Sequence, residues 1–125
     1  MKDAISTTSA PSAIGTYSQA IRHGDTVFIS GQIPLVPETM ALISDDINEQ
    51  IQQVFTNLGN LCKAAGGSIN DVVKFTVYLT DLGNFAAVND VMNKVLEAPY
   101  PARAAIEVSA LPKGALVEVD AIMAL

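Results

Sequence analysis

Two charged residues stand inside apolar, strand-like runs of this chain, and their types could do chemistry together. Arg103 lies between alanines in "YPARAAIEV", Tyr100 to Val108, and Glu118 lies between valines in "ALVEVDAIMA". A guanidinium left unpaired away from water costs several kcal/mol, so something has to meet Arg103. One reading is structural: Arg103 pairs with Glu118, Glu107 or Asp120. The other holds Arg103 for an anionic ligand, since its planar fork meets a carboxylate through two parallel bonds of about 1.5–3 kcal/mol each. Glu118 is then free to move a proton to or from water. Desolvation raises the pKa of a glutamate in an apolar strand and a neighbouring Arg103 lowers it, a balance the sequence leaves open.

Other reactive centres are poorly supplied. Cys62 and His23 are the only cysteine and the only histidine. One of each makes no zinc site without carboxylates or other chains, so no metal is expected. His23 falls in the turn-like "RHGD" and Cys62 on the inner face of a helical stretch, which argues against a Ser/His or Cys/His nucleophilic centre. Cys62 reads as a small buried hydrophobe in a reducing compartment. The seven basic residues are scattered and the net charge is −6, which argues against nucleic-acid binding.

The elements that must position Arg103 and Glu118 follow from periodicity. Residues 1–15 read as an irregular arm. "SQAIRHG" and "TVFISGQIP" flank Gly24-Asp25 as a hairpin. From Asp45 to Ala65, apolar residues recur at steps of three and four, an amphipathic helix ended by Gly66-Gly67. "DVVKFTVYLTD" alternates, with Val73, Phe75, Val77 and Leu79 on one side. A second helix fits Asn84 to Leu96, with Phe85, Val88, Val91, Met92 and Val95 buried. Two last strands, "ARAAIEV" and "LVEVDAIMA", are joined by "SALPKGA". This order predicts one α+β domain over residues 1–125, a two-layer arrangement with both helices on one face of a mostly antiparallel sheet. Arg103 and Glu118 are both expected on the other face, together with Tyr78, Leu116 and Ile122. That face is too apolar for water, and other copies of the chain are expected to cover it. With 16% charged residues and a mean hydropathy of +0.34, the composition also favours an oligomer. No run reaches the roughly eighteen apolar residues of a membrane span, and the start lacks a signal-peptide layout, so the cytoplasm is expected.

"YPARAAIEVSALPKGALVEV" is similar to the C-terminal signature of the reactive intermediate deaminase (Rid) family, also called the YjgF family. The likeness extends to "SAIGTYSQAI", "FISGQIP", "AAGGSINDVVKFTVYLTDL" and "FAAVNDV", nearly the whole chain in order. The resemblance implies a fold like bacillus-type chorismate mutase, assembled as a homotrimer with ligand clefts between subunits. It implies a cofactor-free hydrolysis of enamines and imines such as 2-aminoacrylate and 2-iminobutyrate to keto acids and ammonia. Arg103 then matches the arginine that grips the substrate carboxylate and Glu118 the glutamate that orients or deprotonates water. Tyr17, Gly31 and Asn89 match further cleft residues. From the residues alone, Tyr17 reads as an anchor of the arm, Gly31 as a bulge or close-packing point, and Asn89 as helix surface. The sequence departs from the family at Thr16, where proline is usual, at Ala105, where many deaminases carry cysteine, and in a shorter segment before Tyr100. Two other classes stay open: an endoribonuclease that inhibits translation, opposed by the acidic charge, and a module that senses a keto or amino acid without turnover.

Overall fold

The computed structural model describes residues 1–125, in which alternation and helical periodicity resolve into six strands and two helices. Strands β1 (Asp3–Ile5), β2 (Ala20–His23), β3 (Thr26–Gln32), β4 (Val72–Leu79), β5 (Ala102–Glu107) and β6 (Val117–Ala124) form one sheet in the order β1-β2-β3-β6-β4-β5. Helices α1 (Ile47–Ala64) and α2 (Phe85–Val95) pack on one face of it, giving the expected two-layer α+β architecture.

Local chemistry sets the boundaries. The Asp46 carboxylate accepts the Glu49 N–H at 3.0 Å and starts α1, satisfying one of the amides that every helix N-terminus leaves without a partner. Gly66, with φ +96°, takes the left-handed conformation that ends it. Ile51, Val54, Phe55, Leu58, Leu61 and Cys62 are buried on the α1 stripe, beneath which lie Phe75, Val77 and Leu79 of β4 and Val117, Val119 and Met123 of β6. Phe55 meets Phe75 edge to face at 5.6 Å.

Several expectations need correction. The arm is not wholly irregular, because Asp3–Ile5 pairs antiparallel with β2; three residues are too few to display alternation. Val73 does not join the inward row of β4. An extra residue sits between the pairs Val72–Met123 and Lys74–Ile122, so Val72 turns inward and Val73 is exposed. On α2, Val88, Val91 and Met92 are buried, but Val95 is exposed and Leu96 takes its place, the backbone having turned extended there. The last two strands do not neighbour each other. Helix α2 carries the chain from β4 over to β5, which pairs parallel with β4, and β6 then inserts between β3 and β4.

A buried amide fastens β6 to the helix layer. Gln50 of α1 accepts the Leu116 N–H at 2.9 Å and donates to the Ser44 carbonyl at 2.8 Å. Glu118 therefore begins two residues beyond a fixed point. Ion pairing is sparse: the one salt bridge, Arg22 to Asp25 at 3.5 Å, spans the exposed β2–β3 turn. Phe28 and Ile106 remain about half exposed on the sheet face without helices, with Ile21, Tyr78 and Ile122 nearby.

Replacing Gln50 by Leu leaves the Leu116 amide and Ser44 carbonyl without partners. Urea unfolding is expected to show a loss of about 1–3 kcal/mol, the ordinary penalty for stranding a buried polar group.

Candidate active site

Arg103 points the opposite way from the expectation. In the β4–β5 register it pairs with Phe75, and Ala105 pairs with Val77, both fully buried under the helices. Arg103 therefore projects on the helix side of the edge strand. Its own alternation was legible, but which side is inner is fixed by β4.

There Arg103 meets one face of α2. Its Nη1 donates to Asn89 Oδ1 at 3.0 Å and lies 3.7 Å from Met92 Sδ, while the guanidinium sits over the Phe85 ring at 4.6 Å from the centroid. Phe85, Asn89 and Met92 follow at steps of four and three, so one helical stripe supplies all three contacts. No carboxylate pairs with Arg103. Glu107 accepts the Leu82 N–H at 3.0 Å and Asp120 accepts the Tyr78 hydroxyl at 2.9 Å, so the ion pairs considered from the sequence do not form. Beside the guanidinium opens a cleft of about 340 Å³, bounded by Asn89, Met92, Asn93 and Leu96 on the helix and by Tyr100 and Pro101 ahead of β5.

Glu118 lies on the other face of the sheet, in register with Tyr78. Gly31 makes room for it: a Cβ there would run into the Glu118 carboxylate, so the glycine is a close-packing point on the β3 bulge. Ser30, next to Gly31, ties this bulge to the arm, its hydroxyl donating to the Ser18 carbonyl at 2.6 Å and its N–H to Gln19 at 3.0 Å. Tyr17 precedes this anchor and is 54% exposed, lining a depression with Ser18, Phe28 and Ser30.

The five candidate residues thus fall into two groups. Arg103 and Asn89 are joined on the helix side; Glu118 and Gly31 belong to the open side, with Tyr17 brought near them by the Ser18–Ser30 contact. Two strand spacings, about 9–10 Å, and the thickness of the sheet separate them. Sequence reasoning missed Phe85 and Met92 as partners of Arg103, although their spacing from Asn89 carries the signal. It also missed Gln19, whose side chain accepts from Thr7 N–H and donates to the Thr7, Ala10 and Pro11 carbonyls to shape the arm.

Burial pushes Glu118 above the usual carboxylate range, and the charge of Asp120 adds to the shift. Arg103 does not oppose it within the chain. Because the folded pKa is the higher one, the stability that Glu118 contributes is complete below the unfolded value and is lost as pH rises through the folded one. The Tyr78 hydroxyl is also raised, chiefly by its bond to Asp120. Burial pushes the Cys62 thiol up to about 11, which leaves it inert. No three His, Cys, Asp or Glu side chains converge to hold a metal ion.

Comparison with known proteins places this geometry in context. The sequence model described as Endoribonuclease L-PSP matches residues 7–125. The chain is 48% identical to the goat (Capra hircus) 2-iminobutanoate/2-iminopropanoate deaminase over 118 residues, covering 94% of this chain and 86% of the relative. It superimposes on crystal structures of RidA from the Antarctic bacterium Psychrobacter sp. PAMC 21119 (TM-score 0.95, 54% identity, covering 98% of this chain and 99% of that one). It also superimposes on E. coli TdcF with bound serine (TM-score 0.91, 38% identity, 98% of each chain).

Asp120→Asn removes one of the two causes that raise Glu118. Carboxyl NMR titration is expected to move the Glu118 midpoint down by part of its elevation, because burial, the larger cause, remains.

Proposed function

The chain belongs to the Rid (YjgF) family that the endoribonuclease L-PSP model describes, and from that premise we propose that it hydrolyses 2-imino acids and their enamine tautomers. 2-Iminobutanoate and 2-iminopropanoate, with its tautomer 2-aminoacrylate, are the reference substrates, and 2-oxo acids and ammonia are the products. One observation carries the reading: Arg103 is oriented by an amide, a thioether and an aromatic ring, and no carboxylate of its own chain neutralises it.

In this scheme the substrate carboxylate takes the nitrogens of Arg103 that Asn89 leaves free, which fixes the imine carbon. Glu118 accepts a proton from a water as its oxygen adds to that carbon. Addition to the protonated imine gives a neutral carbinolamine; Glu118 returns its proton to the nitrogen, the C–N bond breaks, and the hydroxyl proton passes to the departing ammonia as the C=O bond forms. Imine plus water gives oxo acid plus ammonia, so no cofactor enters the balance. Since Arg103 and Glu118 lie on opposite faces of one sheet, the complete site joins Arg103 and Asn89 of one copy to Glu118, Gly31 and Tyr17 of another, in a homotrimer. Covering Phe28 and Ile106 at that contact supports the assembly. The whole span 1–125 acts as one unit in the cytoplasm, a reducing compartment suited to a single buried thiol.

The test couples the purified protein to a threonine dehydratase and follows loss of the iminobutanoate. Arg103→Ala is expected to lower kcat/KM at least about 100-fold, the value of two charged hydrogen bonds, and Arg103→Lys to recover little of it. Glu118→Gln should abolish the catalysed rate while retaining ligand binding. Co-refolding Arg103→Ala with Glu118→Gln is expected to restore part of the activity, because some contacts between copies then carry both wild-type groups. Wild-type rates in both single variants would sink the assignment. Ligand binding that needs Arg103 without accelerated hydrolysis would make the protein a sensor, a reading favoured by the serine bound in E. coli TdcF. RNA cleavage that survives Arg103→Ala would favour the endoribonuclease reading that the family description carries.

A further inference from the structure

The walls of the Arg103 cleft are one-sided in their hydrogen bonding. Asn89 spends its Oδ1 on Arg103 at 3.0 Å, and Asn93, one turn further along α2, accepts the Tyr100 hydroxyl through its Oδ1 at 3.4 Å. Neither carboxamide NH2 group has a hydrogen-bond partner in the chain, so both remain available as donors. With the free guanidinium nitrogens they make the wall that one copy contributes rich in donors and free of aspartate and glutamate, although the chain carries −6 overall. Asn89 and Asn93 are four residues apart, so their Cβ atoms stand about 5–6 Å from each other along the helix. A short aliphatic imine bound at Arg103 leaves the Asn93 end unused. A ligand whose side chain ends in an acceptor reaches both.

We propose that the cleft selects 2-imino acids whose side chain ends in a carboxylate or carboxamide oxygen, with Asn93 as the residue that recognises this far end. The proposal rests on the deaminase reading of the same site. The α-carboxylate lies on Arg103, the side chain runs along Met92 and Leu96, and its terminal oxygen takes the Asn93 amide. A charged and a neutral terminus share this chemistry, because the donors at the far end are neutral.

Imines generated by an amino-acid oxidase from 2-aminobutanoate, glutamate and glutamine, with semicarbazide as the competing trap, provide the comparison. Wild type is expected to favour the glutamate- or glutamine-derived imine over 2-iminobutanoate by about fivefold or more in kcat/KM, the worth of one ordinary hydrogen bond. The relative rates of the two longer imines show whether the charged or the neutral terminus is preferred. Asn93→Leu is expected to erase the ratio or reverse it. Equal handling of all three imines, or a preference that Asn93→Leu leaves intact, overturns the proposal while the deaminase reading stands. If no imine is turned over, the deaminase reading fails, and calorimetry decides the cleft's preference separately. Tighter binding of 2-oxoglutarate than of 2-oxobutanoate, lost in Asn93→Leu, supports it, and equal binding of the two oxo acids refutes it.

Discussion

Arg103 is braced by groups that bear no negative charge. Asn89 fixes one nitrogen through a neutral carbonyl, Met92 offers a polarisable sulfur and Phe85 the face of its ring. Had Glu107 or Asp120 filled this role, the cation would have been both oriented and spent. Orientation without neutralisation separates the two, and the remaining nitrogens keep full attraction for an anion entering the cleft. Helix α2 exists, in this sense, to hold that guanidinium as well as to cover the sheet. Its buried residues Val88 and Val91 fasten it to the core, while Phe85, Asn89 and Met92 touch the arginine.

The open face is organised by a different economy. Glu118 begins just past the point where Gln50 pins β6 to α1, and Gly31 leaves it space on the neighbouring strand. Asp120, engaged by Tyr78, adds negative charge two residues away on the same face, so Glu118 is surrounded by conditions that favour its protonated form. In the assembly proposed above, the guanidinium of a second copy arrives as the counterweight. Copy number and protonation are then coupled through one carboxylate.

Much of this could be read from the residues. The α1 stripe follows from spacing, the Gly24-Asp25 hairpin from turn chemistry, and the row Val117, Val119, Ala121 and Met123 from alternation against a row that carries Glu118 and Asp120. Strand β5 shows where such reading stops. Its alternation is correct, yet Ala102, Ala104 and Ile106 look like the inner row and lie on the open face. Parity inside a strand is local; the choice of face belongs to the partner strand, here a parallel one reached through α2. The site inherits that ambiguity: spacing puts Arg103 and Glu118 on one face, and strand pairing puts them on two. Asn89 and Gly31 could not be distinguished from surface and bulge by spacing, since what marks them is a single neighbour, Arg103 in one case and Glu118 in the other.

The scarcity of charge pairing has a further consequence. With Arg22–Asp25 as the sole salt bridge, and that one exposed on a turn, the fold draws almost nothing from attractions that dissolved ions weaken. Capture of an organic acid by an open guanidinium does draw on them. In the function proposed above, ionic strength therefore acts on ligand capture more than on ion pairing within the fold, which sets this molecule apart from proteins whose binding cations are also their structural ones.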